Sequence, residues 1–232
     1  MSLFPIVSRF AHPQAVGLPS RQIHTQGDVN CCVSCALGTA LEAADPAMPP
    51  LAPLYHFFFA GGPETIATGL TINQAQGALL RRGMCALERH PYGISRSNVD
   101  QQPDEAAVED GLGRRPIDPS SGTLLWKPVS ILTPQGVTRQ LAAGFPVLLA
   151  FQPNQDYLDL KSGRPTLVDN GPPYDAVGHA ATIIGYSDPD SVFVVQDSRG
   201  LSFGINGQWF LPYDLLSSPF AVMAFVLAAN DI

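Results

Sequence analysis

Three of the four cysteines fall within five positions, Cys31, Cys32 and Cys35, in the stretch QGDVNCCVSCALGTALE from Gln26 to Glu42; the fourth, Cys85, stands far downstream. Such a cluster admits several chemistries. Cys32-Val-Ser-Cys35 has the spacing of a redox pair, but that use needs a preceding strand in a βαβ unit, and PSRQIHTQGDVN reads as turn. A structural zinc site needs a second close pair of Cys or His, and Cys85 has only His90 nearby, so no metal and no cofactor are expected. Buried free cysteines also serve as small core hydrophobes, the plainest role for Cys35 and Cys85. A nucleophile is the remaining use. It requires a base for the thiol proton, a group that orients the base, and donors for the developing oxyanion. A helix N-terminus beneath the sulfur favours the thiolate. The cluster opens a helical pattern, with Asp28 or Asn30 as candidate N-caps.

Five histidines could supply the base. His12 lies in the irregular start, His24 shares the loop of Gln26, His56 sits inside YHFFF, and His90 precedes a proline. His179 opens GHAATIIGY, a small residue followed by His at the mouth of an apolar strand, which would present the ring to a cleft. Asp197 ends the apolar run SVFVVQD and precedes a glycine-punctuated loop. Its carboxylate could accept a hydrogen bond from one imidazole nitrogen while the other faces a thiol.

The elements that must hold these groups change character near the middle of the chain. CCVSCALGTALEAA, LAPLYHFFFAGG and TINQAQGALLRRG read as helical segments ended by Pro46 or glycine. Residues 95–122 are polar and rich in Gly and Pro, and predict a long surface loop. Beyond it, TPQGVTRQLAAG predicts a short helix. KPVSIL, FPVLLAFQ, HAATIIGYS, SVFVVQDS, GQWFLPYDLL and FAVMAFVLA predict strands separated by turn signals. The uninterrupted apolar runs among them suit central strands.

Hydrophobic residues make up 45% of the 232 and charged ones 14%, enough for a sizeable core, while 21 Gly and 22 Pro predict many loops. A formal net charge of -7 with no basic stripe argues against nucleic acid as a partner. No run reaches the roughly 18 apolar residues of a membrane span, and no signal peptide is evident, so a reducing, cytoplasmic setting with free thiols is expected.

In their order, these pieces resemble the papain-like cysteine peptidases. Gln26-Gly27 stands six positions before Cys32 as in the family's Q-G-x-x-x-x-C, and Glu42 is the acidic residue ten positions after it. LLRRGMCALERHPY, LAAGFPVLLAF, GHAATIIGY and DSRGLSFGINGQWFLPYDLL are similar to further family segments, and Cys32 and His179 are 147 positions apart, in the range of about 130–150 for this family. The resemblance implies an α+β, two-lobed fold: a helical lobe carrying the nucleophile, an antiparallel β-barrel-like lobe carrying His and Asp, and a cleft between them. As a single catalytic domain, its lobes would span about 25–115 and about 120–225, with the termini crossing between them.

It further implies Cys32 as nucleophile, His179 as general base and acid, Asp197 as orienter where the family has Asn, and Gln26 with the Cys32 backbone N–H as oxyanion donors. Gln26, not the C-x-x-C match, selects Cys32 over Cys35. Asn30, Cys31, Gly178 and Arg199 would line the substrate cleft. Peptides or proteins are then the substrates and a protein inhibitor the further partner of a monomer. Val29 replaces the first Cys of the family's C-G-S-C-W, so its disulfide is absent; Asn30 replaces the Gly, Val33 the aromatic, and Arg199 and Phe203 the two tryptophans. These substitutions also suit a weak or non-catalytic binding module, or an amidase or deamidase confined to one partner. With 25 residues ahead of Gln26, no inhibitory propeptide is recognisable.

Overall fold

The computed structural model describes residues 15–19, 22–117, 126–128, 133–160, 166, 171–172, 178–217 and 221–227. Helices fill the first half: α1 (Cys32–Ala44), α2 (Pro53–Phe59), α3 (Gly62–Thr65), α4 (Ile72–Arg82) and α5 (Glu105–Gly113). The second half holds the short helices α6 (Pro134–Ala142) and α7 (Gln155–Asp159) against an antiparallel sheet. Its strands are β2 (Trp126–Pro128), β3 (Val147–Phe151), β4 (His179–Ser187), β5 (Val192–Gln196), β6 (Gln208–Pro212) and β7 (Ala221–Leu227). They lie in the order β2-β7-β3-β4-β5-β6. The first described strand, β1 (Ala15–Gly17), pairs with the far end of β4, on the edge that β3 uses nearer His179. Among the described residues β6 and β2 do not pair, so the sheet path stays open.

α1 is buried from Cys32 to Ala43, as a helix of small and apolar residues on every side must be. It packs on α4 and on Leu148 and Ala180 of the sheet, and the Thr182 hydroxyl on β4 donates to the Ala36 carbonyl at 2.7 Å. The helix that begins with Cys32 is thereby tied to the strand that begins with His179. A second core, around Phe151, Tyr157, Phe193 and Trp209, lies between the sheet and α6 and α7. β4 bends at a bulge beside Gly185. A Cβ there would lie 2.4 Å from the Val16 carbonyl oxygen, so only glycine lets β1 approach.

Two expectations need correction. The stretch 95–122 is not one loop, because α5 forms within it. Asp104 caps α5 by accepting the Ala107 N–H at 2.8 Å, and the polar composition concealed this stop-start signal. Neither Asp28 nor Asn30 caps α1: the N-cap is Cys31, with no side-chain cap bond. Asp28 instead pairs with Arg96 at 3.6 Å, and Asn30 donates to the Ala67 carbonyl at 2.7 Å. Of KPVSIL, Lys127 and Pro128 belong to β2, while residues 129–132, like His12, lie outside the described residues.

Candidate active site

Cys32 is the first residue of α1, where backbone N–H groups have no intrahelical acceptor and the helix dipole is positive. With no side chain capping that end, the dipole acts on the sulfur. His179 is the first residue of β4 and pairs with Phe151 across the β3–β4 ladder. Thr182 pairs with Gln196 in the β4–β5 ladder, so Asp197, next after Gln196, falls on the face that His179 shares with Ala181, as its diagonal neighbour.

His179 Nε2 meets Asp197 Oδ1 at 3.0 Å. With Nε2 turned to Asp197, Nδ1 is the ring nitrogen left to face Cys32, whose thiol this imidazole lowers. Cys32 and His179 both line the cleft, and Asp197 holds the far side of the ring. The Asp197 carboxylate accepts from four donors. Oδ1 takes His179 Nε2–H and, at 2.8 Å, the Ser198 N–H; Oδ2 takes the Tyr157 hydroxyl and Trp209 Nε1–H, each at 3.0 Å. The Tyr157 oxygen in turn accepts Arg199 Nε–H at 2.9 Å. Aromatic rings wall the imidazole, Phe151 with its centroid at 5.3 Å and Tyr157 at 5.6 Å.

The electrostatics follow from this geometry. Burial raises the Cys32 thiol, but the His179 hydrogen bond and charge, with the Ala180 N–H, outweigh it and hold the thiol below its ordinary value. Burial lowers His179, yet the charge and hydrogen bond of Asp197, and after them Cys32, raise it to about 9. Burial opposes ionisation of Asp197 too, and the His179 charge with the His179, Trp209 and Tyr157 hydrogen bonds prevails, so its carboxyl stays below the usual range. A thiolate beside an imidazolium is the state this arrangement favours.

The site opens into a cleft of about 790 Å³ lined on one wall by Gln26, Asn30, Cys32, Val33 and residues 67–72, and on the other by residues 150–153, Leu158, Gly178, His179, Ala180 and Arg199. Gln26, Asn30, Gly178 and Arg199, all named from sequence, line this cleft. The Ser198 hydroxyl donates to Gln26 Oε1 at 2.6 Å, which turns the amide nitrogen toward Val29 O, at 3.4 Å, and the cleft. Cys31 does not line the cleft. It is fully buried among Val29, Leu54 and Phe57, with its sulfur 3.7 Å from that of Cys35. All four cysteines are free thiols. Burial, foremost, raises the thiol of Cys35 well above its ordinary value and that of Cys85 to about 12, which makes both poor nucleophiles. Arg199 stacks on Tyr157 and Phe203, 5.3 and 5.7 Å from their centroids, rather than pairing with Asp197.

The other described histidines are committed to structure. His24 holds the buried Glu42 at 3.2 Å, and His56 bridges the Ser34 hydroxyl and the Ala75 carbonyl, with burial lowering it to about 4. His90 is buried against Tyr55 and Tyr92. Among the described residues no group of three or more His, Cys, Asp or Glu could hold a metal ion. Tyr157, Trp209 and Ser198 were not anticipated from sequence. Trp209 stood in a strand pattern as an ordinary core aromatic, and Tyr157 lies 40 residues before the carboxylate it serves, with no local motif to mark it.

Solved structures align with nearly the whole chain. Xylellain, a cysteine protease from Xylella fastidiosa, superposes with a TM-score of 0.77 at 20% identity over 95% of this chain and 88% of that one. The chain has the papain-like cysteine protease fold. The bromelain protease of Ananas comosus, solved in complex with the E64 inhibitor, shares the papain-like fold at a TM-score of 0.65 and 18% identity, over 92% of this chain and 98% of its own. The proform of a ragweed pollen cysteine protease does so at 0.70 and 18%, over 94% and 66%. In sequence, an uncharacterised peptidase C1-like protein of Acanthamoeba polyphaga mimivirus is 28% identical over 79 residues; the match covers 33% of this chain and only 25% of that protein. No protein-family model matches the chain.

Proposed function

We propose that this chain is a thiol peptidase that cleaves peptide bonds through a thioester acyl-enzyme. The observation that carries the reading is that Cys32 and His179 line one open cleft, with Asp197 bonded to the Nε2 side of the imidazole. In this mechanism the Cys32 thiolate attacks the scissile carbonyl carbon. The oxyanion is held by the Cys32 N–H, at the start of α1, and by the Gln26 amide. His179 gives its proton to the leaving amine, then takes one from the water that hydrolyses the thioester. Asp197 keeps Nε2 protonated and Nδ1 directed at the sulfur and the leaving group.

Two supporting features concern orientation. The Ser198 hydroxyl keeps the Gln26 amide nitrogen available to the oxyanion, and the Tyr157 and Trp209 donors keep the Asp197 carboxylate still. The substrate backbone would lie between the wall of Asn30 and residues 67–72 and the wall of residues 150–153.

The test is labelling and turnover together. Wild type should react with an epoxide-type thiol inhibitor at Cys32 and cleave peptides. Cys32→Ala and His179→Ala should each lose both properties while keeping the wild-type circular dichroism. Full labelling and cleavage by a folded Cys32→Ala variant would refute the assignment.

A further inference from the structure

Apart from the reacting pair, Arg199 is the one charged side chain among the described residues that line the cleft. This is notable in a chain with 20 Asp and Glu against 13 Lys and Arg. Its guanidinium is held by the Nε–H bond to Tyr157 and lies against the rings of Tyr157 and Phe203. These contacts occupy Nε and one face of the fork. Among the described residues no carboxylate pairs with its terminal nitrogens. The side chain remains exposed at the cleft, so the fork is held at Nε and, among the described residues, its terminal nitrogens are unpaired.

Its position relative to the reaction can also be read. The general acid protonates the leaving nitrogen, so the departing fragment lies on the His179 side of the sulfur. Arg199 stands on that side, stacked on the ring that packs against His179, with its backbone paired to Thr25 beside Gln26. The far wall, from Ala67 to Ile72, carries no charge.

We propose that Arg199 selects substrates bearing a carboxylate on the leaving fragment, either an Asp or Glu side chain just after the scissile bond or a free C-terminal carboxylate. This rests on the peptidase reading above. A planar, preorganised guanidinium with free terminal N–H groups matches a carboxylate in two-pronged geometry. In a half-exposed cleft such a pair favours the acidic substrate by about three- to tenfold.

The experiment digests a proteome-derived peptide library and identifies both products of each cut by mass spectrometry, for wild type, Arg199→Lys, Arg199→Gln and Arg199→Glu. Because Arg199 also braces Tyr157, total turnover falls in every variant, and the readout is therefore selectivity. Wild type should enrich Asp and Glu in the first two positions of the leaving fragment, or leaving fragments short enough to end there in a free carboxylate. A paired peptide with free and amidated C-termini separates these two sources. Arg199→Lys should keep most of the enrichment, Arg199→Gln abolish it and Arg199→Glu reverse it, and raised salt should weaken it in wild type. Cleavage without enrichment, or enrichment that survives Arg199→Glu, overturns this inference and leaves the peptidase reading intact. A chain that cleaves nothing and takes no label at Cys32 overturns the peptidase reading itself, and this inference with it.

Discussion

The four donors around Asp197 make Asp197→Asn an incisive substitution. A carboxylate can accept from His179, Ser198, Tyr157 and Trp209 at once, whereas an amide has one accepting oxygen. If that oxygen faces His179 and Ser198, the amide N–H₂ faces Tyr157 and Trp209. The Tyr157 hydroxyl can turn to accept, but Trp209 Nε1–H can only donate and loses its bond to the carboxylate, at a cost of about 1–3 kcal/mol. Catalytic geometry survives in this orientation, so peptide cleavage persists near neutral pH.

The pH profile should change more than the rate at pH 7. His179 is raised from 6.5 to about 9, with burial opposing, and the two Asp197 contributions each exceed those of Cys32. Removing the carboxylate charge should lower the basic limb of kcat/KM by at least about one pH unit, each unit being worth about 1.4 kcal/mol. The sign is set by the imidazolium. Its proton is present below the limb and lost above it, so wild-type activity falls as pH rises through about 9, and that of the variant falls earlier. The stability linked to His179 follows the same sign: it is fully present below about 6.5 and fades through about 9. The assay is kcat/KM from pH 5 to 10 with urea unfolding alongside. Adding Trp209→Phe to Asp197→Asn should recover stability by removing the donor that faces the amide N–H₂, a coupling visible in a double-mutant cycle. A basic limb that does not move would show that Asp197 does not hold the proton on His179.

Other consequences are simpler to check. Gln26→Ala removes one oxyanion donor and should lower kcat by about a hundredfold or more with a smaller change in KM, read from steady-state kinetics. Ser198→Ala frees the Gln26 amide and should produce a milder fall of the same kind. Below pH 7, iodoacetamide should alkylate the native protein at Cys32 well before the other three cysteines, all nearly inaccessible, and the unfolded chain at all four, as counted by intact mass. Glu42→Ala strands the Leu51 N–H and the His24 ring and should destabilise the fold by about 1–3 kcal/mol in urea unfolding, with Cys32 labelling of the folded fraction retained.

Much of the fold was legible because it is written in local pattern. The breaker-free run after Cys32 predicts α1, the helical spacing in TINQAQGALLRRG and the stop at Gly83 predict α4, and the apolar runs from Phe145 and from His179 predict β3 and β4. α5 escaped because its cap and short amphipathic turn lie inside a stretch whose composition reads as loop. The α1 caps were misjudged because capping depends on where the side chains are drawn, and Asp28 and Asn30 are drawn to Arg96 and Ala67 by contacts distant in sequence. Cys31 was misplaced because its being next to Cys32 says nothing of which side of the helix start it occupies, and it turns inward to Cys35.

The sequence by itself determined the chemical types and their order along the chain: a cysteine at a helix start, a histidine and an aspartate at strand ends, and a glutamine six positions upstream. Periodicity and punctuation are local, so one chain suffices to read them. Only the tertiary structure decided how those groups are held: the Tyr157 and Trp209 donors on Asp197, the Ser198 hydroxyl on Gln26, and Arg199 stacked at the cleft edge. Each of these contacts joins residues on separate elements, brought together by strand register and helix packing. Hydrogen-bond direction and burial, which set whether a carboxylate is ionised or a thiol reactive, exist only once those elements have met.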